Sequence, residues 1–171
     1  MLLIANLSLG DKVIDEDVPS LYPVADPQFP RSMNVLLGPQ LVAGNRVQAL
    51  VNGDRIFPDM LEAIRGARSS ITFETYIWWS GSIGEEFSRA LAERARAGVR
   101  VHVIFDAVGG GKIDEASVDE MKAAGAQVER YNPLRWHSIV SMNNRTHRKI
   151  LVVDGRVGYT GGVGIADEWR G

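Results

Sequence analysis

The chain of 171 residues has the size of one domain with an ordinary hydrophobic core. Its 19 lysine and arginine residues against 21 acidic residues give a net charge of −2 at pH 7, so the overall charge does not favour a nucleic-acid partner. The absence of cysteine excludes disulfide scaffolds, thiolate zinc sites and cysteine catalysis, and it is typical of a cytosolic protein.

Membrane insertion is not predicted from the sequence. No apolar run approaches the ~20 residues that a helix needs to span a bilayer. The opening residues MLLIANL lack the basic flank and the long apolar centre of a signal peptide. We therefore expect a cytoplasmic protein, or one that contacts a membrane only at its surface.

The first 44 residues differ in composition from the rest of the chain. They contain five of the seven prolines, and proline fixes φ and removes a hydrogen-bond donor. We predict an extended arm or docking segment at residues 1–44, with a poorly ordered leader as the alternative. One folded domain is predicted to follow at residues 45–171.

Strands and helices alternate in the predicted domain, as judged from apolar runs, helical spacing and turn residues. In chain order the prediction is a strand at 46–51, a helix from about Pro58, a strand at 70–79, a helix that a capping box of Ser82 and Glu85 opens, a strand at 99–107, a helix at 114–124, a strand at 126–131, and strands 146–153 and 156–160 around an Asp-Gly turn. This order indicates an α/β sandwich with a mostly parallel or mixed sheet flanked by helices. Ligands in such sheets bind beyond the carboxyl ends of the strands, and Asp106 is expected near such an end.

The segment THRKILVVDG, residues 146–155, carries the clearest chemical signal. Successive side chains of a strand point to opposite faces, so His147 and Lys149 are expected to share a face. A neutral imidazole can attack phosphorus or move a proton near pH 7, and an ammonium group stabilises phosphate oxygens as charge develops. The pair suits phosphoryl transfer, and a solvated edge strand is the alternative. Asp154 falls on the turn, off that face, and is interpreted as structural.

Other residues are candidates for contacts with a phosphate or a head group. Backbone N–H groups at Gly161 and Gly162 could approach an anion closely. Glu74 and Tyr76 alternate on one face of an apolar strand, where a carboxylate is costly unless it is paired, so both are predicted to line the polar site. Three further candidates for head-group binding precede the motif, with loop solvation as the alternative: Asn143, Asn144 and Arg145.

The spacing His147-x-Lys149-x₄-Asp154, followed by Gly161-Gly162, resembles the HxKxxxxD signature of the phospholipase D superfamily. Blocks such as FETYIWW, LAERARAGVRVHVIFDAVG and GGVGIADEW are similar to those of bacterial cardiolipin synthases. The resemblance covers roughly residues 44–171. It implies a phospholipase D-like fold in which two such motifs, on two pseudo-symmetric halves, build one site without a metal or cofactor.

The resemblance also implies roles for the matching residues. His147 would be the nucleophile that forms a phosphohistidine, or its acid/base partner, while Lys149 would clamp the phosphate and Asp154 would be the supporting carboxylate. The sequence contains one motif, and neither His102 nor His137 supplies a second. We therefore expect the N-terminal half of a two-motif enzyme, or a one-motif member that completes its site as a homodimer. The superfamily often has serine and asparagine at the positions of Gly162 and Gly164, so side-chain donors are missing here.

Three functions are consistent with these residues. The first, implied by the resemblance, is phosphatidyl transfer between phospholipids, with this chain supplying half of the site and contacting the membrane surface. The second is a phospholipase, phosphodiesterase or nuclease of the same superfamily acting as a homodimer, although the net charge of −2 disfavours a nucleic-acid substrate. The third is a non-catalytic module that binds phosphorylated ligands.

Overall fold

The structure, a computed structural model, describes residues 21–133 and 144–171. The chain divides into two compact units, residues 1–48 and residues 49–171. Within the described residues, no helix has both the length and the apolar character that a membrane crossing requires.

The first unit contains helix α1 (Gln28–Leu37), whose residues are all at least partly exposed. The helix begins where the carboxylate of Asp26 accepts a hydrogen bond from the backbone N–H of Gln28 at 2.7 Å. Residues 28–37 are thus helical rather than extended as predicted. The physical reason is the position of Pro30, which lies in the first turn, where its missing N–H would have no partner within the helix.

The second unit alternates helices and strands. Its elements are α2 (Gly53–Gly66), β1 (Ser70–Thr75), α3 (Ser82–Arg96), β2 (Arg100–Asp106), α4 (Glu115–Ala123), β3 (Gln127–Tyr131), β4 (Ile150–Val153) and β5 (Val157–Thr160), followed by a 3₁₀ turn at Asp167–Trp169. The predicted order of elements is confirmed from residue 53 onward, with strand ends that differ by up to four residues.

The five strands form one mixed sheet in the order β3-β2-β1-β4-β5. Strands β1, β2 and β3 run parallel, whereas β4 pairs antiparallel with β1 and β5 antiparallel with β4. The predicted mixed α/β sheet is confirmed. We call the edge at which β1, β2 and β3 end the carboxyl edge. Because β4 is antiparallel, with Ile150 opposite Glu74, the residues that precede β4 also lie at this edge.

The core is built from apolar faces of the helices and alternate residues of the strands. Phe57 of α2 and Trp78 each meet Phe87 of α3 edge to face, at centroid distances of 5.9 and 6.4 Å. Along β2, Val101 and Val103 are buried while His102 between them is exposed. His102 is therefore a surface residue of the strand.

The predicted strand at 46–51 is wrong. These residues form no ladder, and Val47 is 94% exposed. The boundary between the two compact units falls within this segment, so no neighbouring strand supports it. Helix α2 then begins at Gly53 rather than near Pro58, because Phe57 belongs to the same buried face as Leu61.

The start of α3 does not use the predicted capping box. Ser82 is the first helical residue and the preceding Gly81 offers no side chain, so the cap comes from elsewhere. The carboxylate of Asp167 accepts hydrogen bonds from the backbone N–H groups of Ser82 and Ile83 at 2.9 and 2.8 Å. These two backbone bonds, led by that of Ile83, hold the pKa of the Asp167 carboxyl below its usual range. The residues after β5 are thereby tied to α3.

Candidate active site

His147 and Lys149 lie at the carboxyl edge, in the residues directly before β4. The predicted strand 146–153 is therefore four residues shorter than expected. The physical reason is the length of β1: its ladder with β4 reaches only to Glu74 and Ile150, so the residues before Ile150 have no strand opposite them. They are held instead by side chains, and this leaves the imidazole and the ammonium group beyond the sheet.

The ring of Tyr76 is the surface on which the two motif residues meet. The His147 ring stacks on it with a centroid distance of 4.3 Å and an interplanar angle of 28°, and Nζ of Lys149 lies 5.4 Å from the Tyr76 centroid. Nζ also donates a hydrogen bond to the His147 carbonyl at 3.0 Å. Burial lowers the pKa of the Lys149 ammonium group. The structure thus brings these three predicted site residues together on one side of β1.

Glu74 holds the chain on both sides of His147. Its carboxylate accepts a hydrogen bond from the hydroxyl of Thr146 and lies 3.7 Å from the guanidinium of Arg148. The Glu74 side chain is only 22% exposed, and these partners offset the cost of keeping the carboxylate among apolar residues. Thr146 gave no signal of its own in the sequence, because a single threonine beside a histidine is common.

Asp106 is a second, fully buried carboxylate at the same edge. One oxygen accepts from the backbone N–H of Val108 at 2.8 Å and lies 3.3 Å from the guanidinium of Arg145. The other oxygen accepts from the backbone N–H of Thr146 at 3.1 Å. Arg145, predicted to bind substrate, also donates to the carbonyl of Asn132 at 3.0 Å. Its described contacts are thus within the protein.

Asp154 lies at the opposite edge of the sheet from His147, since the whole of β4 separates them. Its carboxylate accepts hydrogen bonds from the backbone N–H groups of Ser70, Arg68 and Ser69 at 2.9, 2.9 and 2.8 Å. These contacts join the β4–β5 turn to the start of β1. The arrangement does not bring Asp154 to the other motif residues.

A pH dependence of stability follows from these bonds. The N–H groups of Ser70, Arg68 and Ser69 hold the pKa of the Asp154 carboxyl well below its usual range. A depressed folded-state pKa contributes stability that is present above the unfolded pKa of about 4 and is lost as pH falls through the folded value. We expect Asp154→Asn to destabilise the protein at pH 7 and to differ less from wild type at pH 3, as measured by urea unfolding.

A matched control for this prediction is Asp119→Asn, which removes the same charge from an exposed position on α4. It should change stability little at either pH. Asparagine is chosen because residue 154 has a φ of 53°, a conformation that asparagine adopts readily. An Asp154→Asn difference of equal size at both pH values would contradict the prediction.

The glycines after β5 also return to the carboxyl edge, because Thr160 pairs with Ile150. Gly161 and Gly162 are exposed, and a Cβ at either would meet open space. At Gly164, by contrast, a Cβ would lie 2.7 Å from Cβ of Ile77. The packing on Ile77 therefore explains why no side-chain donor is present at 164. The predicted site residue Asn143 and the third histidine, His137, lie outside the described residues.

The mixed α/β sheet and the His-x-Lys pair at its carboxyl edge agree with the phospholipase D-like domain that the resemblance implied. The crystal structure of Nuc, a phospholipase D family member from Salmonella typhimurium, matches this fold with a TM-score of 0.53 at 20% identity, covering 67% of each chain. The family model described as "Cardiolipin synthase, PLD-like domain" matches residues 60–168. The chain belongs to this family.

Named relatives of this chain are bacterial cardiolipin synthases. The chain is 38% identical to a cardiolipin synthase of Geobacillus kaustophilus over 128 residues, which are 74% of this chain and 26% of that protein. It is 35% identical to cardiolipin synthase A of Pseudomonas fluorescens over 131 residues, 76% of this chain and 27% of that protein. The chain therefore matches about a quarter of the length of these relatives.

Proposed function

We propose that this chain supplies half of the active site of an enzyme that transfers phosphatidyl groups between phospholipids. The observation that carries the proposal is the meeting of His147 and Lys149 on the Tyr76 ring, at the edge where α/β sheets bind ligands. Membership of the cardiolipin synthase family supports a phospholipid substrate.

The proposed reaction has two steps in which bonds and protons balance. A ring nitrogen of His147 attacks the phosphorus of a phospholipid, a P–N bond forms, and the P–O bond to the leaving alcohol breaks as a general acid supplies that alcohol with a proton. The acceptor alcohol then gives up its proton and attacks, and the P–N bond breaks. Lys149 neutralises the phosphate oxygens in both steps. In the alternative, a second histidine of the site forms the P–N bond, and His147 acts first as the general acid and then as the general base.

The second histidine of the proposed site comes from outside this chain. His102 is exposed on β2, and the residue two positions after it is not a lysine. Because the chain matches about a quarter of its relatives' length, a further half of a longer protein can supply the second motif. A second copy of this chain is the other source, and an isologous dimer would place two equivalent motifs together.

Contact with a membrane surface is part of the proposal. Five aliphatic residues in and just after α1 are more than half exposed: Val35, Leu36, Leu37, Leu41 and Val42. Exposed apolar surface of this kind marks interaction sites. No charged residue falls between Arg31 and Arg46, so the segment can lie against lipid without burying a charge, with an arginine at each end for anionic head groups.

The experiment incubates the 171-residue chain, alone and together with a separate second half, with vesicles of labelled phosphatidylglycerol and follows the lipid products. We expect a two-phosphate lipid and free glycerol, together with an acid-labile phosphatidyl group on the protein. If phosphatidic acid is the only product, water is the acceptor and the enzyme is a phospholipase. Cleavage of a single-stranded DNA probe without lipid turnover would identify a nuclease, and binding of the vesicles without turnover in any assembly would identify a binding module.

A further inference from the structure

The buried carboxylate of Asp106 binds two chain segments that adjoin the His147–Tyr76 stack. On one side its oxygen accepts from the backbone N–H of Thr146, the residue directly before His147, at 3.1 Å. On the other side it accepts from the N–H of Gly109 at 3.2 Å. Both bonds are sheltered from water, since Asp106 is 0% exposed, and hydrogen bonds to a buried charged group are among the stronger ones.

The loop that contains Gly109 packs against Tyr76. A Cβ at Gly109 would lie 2.2 Å from the carbonyl oxygen of Tyr76 and 2.9 Å from its ring atom Cδ2, so the loop packs closely against that residue. The carbonyl of Gly109 also accepts from Nε1 of Trp79 at 2.8 Å. The loop that Asp106 holds therefore packs directly against Tyr76.

The His147 side is held by an ion pair as well. The guanidinium of Arg145 lies 3.3 Å from Asp106 and its side chain is only 12% exposed. Residues 144–149 form no strand, so these contacts replace the ladder that would otherwise fix the backbone. Glu74 adds a bond to the hydroxyl of Thr146.

We propose that Asp106 is a positioning residue, whose buried carboxylate sets the His147 ring against Tyr76 by holding the backbone before His147 and the loop behind Tyr76 at once. A single carboxylate can do so because its two oxygens accept from different segments. Asparagine has one acceptor oxygen, and its NH₂ group would face an N–H group of the other segment. Asp106→Asn can therefore hold one segment but not both.

The test follows the ring protons of His147 by NMR in the 171-residue chain. Stacking at 4.3 Å places these protons in the ring current of Tyr76. Loss of a signal in His147→Ala assigns it among the three histidines, and Tyr76→Leu gives its position without the stack. We expect Asp106→Asn to move the signal most of the way to the Tyr76→Leu position. Asp119→Asn, which removes an equal charge from the exposed face of α4, should leave it unmoved.

A second variant guards against a failure of Asp106→Asn to fold. Arg145→Gln combined with Asp106→Asn removes both charges of the buried pair and so leaves neither uncompensated, yet it still lacks the second acceptor oxygen. The same displacement of the His147 signal is expected in this folded double variant. A His147 signal at the wild-type position in either folded variant would overturn the proposal.

The catalytic meaning of this positioning rests on the proposed function, and the two can fail separately. The ring-proton measurement needs no turnover, so it tests the role of Asp106 even in a chain that lacks its second motif. In the active assembly, Asp106→Asn should lower kcat with little change in KM, because the ring is present but misplaced. A wild-type assembly that turns over no phosphodiester would refute the proposed function while the NMR result stands by itself.

Discussion

Replacing His147 with alanine is expected to lower the rate of phosphodiester turnover by roughly 10³-fold or more. The imidazole is the group of the described carboxyl edge best suited to this chemistry, because an ordinary histidine can attack phosphorus or carry a proton near pH 7. Its neighbours there are tyrosine, lysine, arginine and two paired carboxylates. The measurement is the initial rate on phosphatidylglycerol vesicles, in the assembly that is active with the wild-type chain.

The matched control is His102→Ala, which removes a histidine from the exposed face of β2. It should leave the rate close to that of wild type, and both variants should keep the wild-type circular dichroism spectrum. A His147→Ala rate within about tenfold of wild type would contradict an essential role for the imidazole. Equal losses in both variants would indicate damage to the fold rather than to the chemistry.

Mixing wild-type and His147→Ala chains distinguishes the two sources of the second motif. If a homodimer builds one site from both copies of His147, only wild-type pairs are active, and an equal mixture should retain about a quarter of the activity. If each chain contributes its His147 to a separate site, the equal mixture should retain about half of the wild-type activity. A wild-type chain that is inactive alone but active with a separate second half would exclude the homodimer.

The sequence was sufficient to predict the sheet and the meeting of His147 with Lys149. Apolar periodicity is a local property, and the alternation of strands and helices leaves few arrangements of the sheet. Residues two apart in an extended chain share a side, so the pair was expected together even though β4 begins only at Ile150. The stacking of His147 on Tyr76 was harder to predict from the sequence, because the two residues are about 70 positions apart.

The predictions that were wrong concern segments whose structure is decided by distant residues. The run at 46–51 alternates weakly, but a strand needs a neighbour and Val47 is left exposed. Ser82 has the local pattern of a capping box, yet the bonds come from Asp167 at the far end of the chain. Asp106 could be placed at a strand end from the sequence. Its bond to Thr146 could not be foreseen, because that bond depends on how the sheet brings β4 beside β1.

Gly84 is a position at which a single methyl group is expected to damage the fold. An alanine Cβ there would lie 2.1 Å from the backbone oxygen of Trp79, and a backbone atom cannot turn aside as a side chain can. Relief requires α3 to move away from the residues after β1, which include Tyr76. We expect Gly84→Ala to lower the free energy of unfolding by about 1–3 kcal/mol, measured by urea denaturation, and to lower activity through the displaced tyrosine.

Gly66→Ala is the matched control, since it makes the same change in a helix where a Cβ would meet open space. Alanine favours a helix over glycine by up to about 1 kcal/mol, so this variant should be as stable as wild type or more stable. The same gain in helix propensity is available at Gly84, and a net loss there must therefore come from the contact with Trp79. Equal stabilities for the two variants would mean that α3 shifts without cost. This outcome would contradict the prediction.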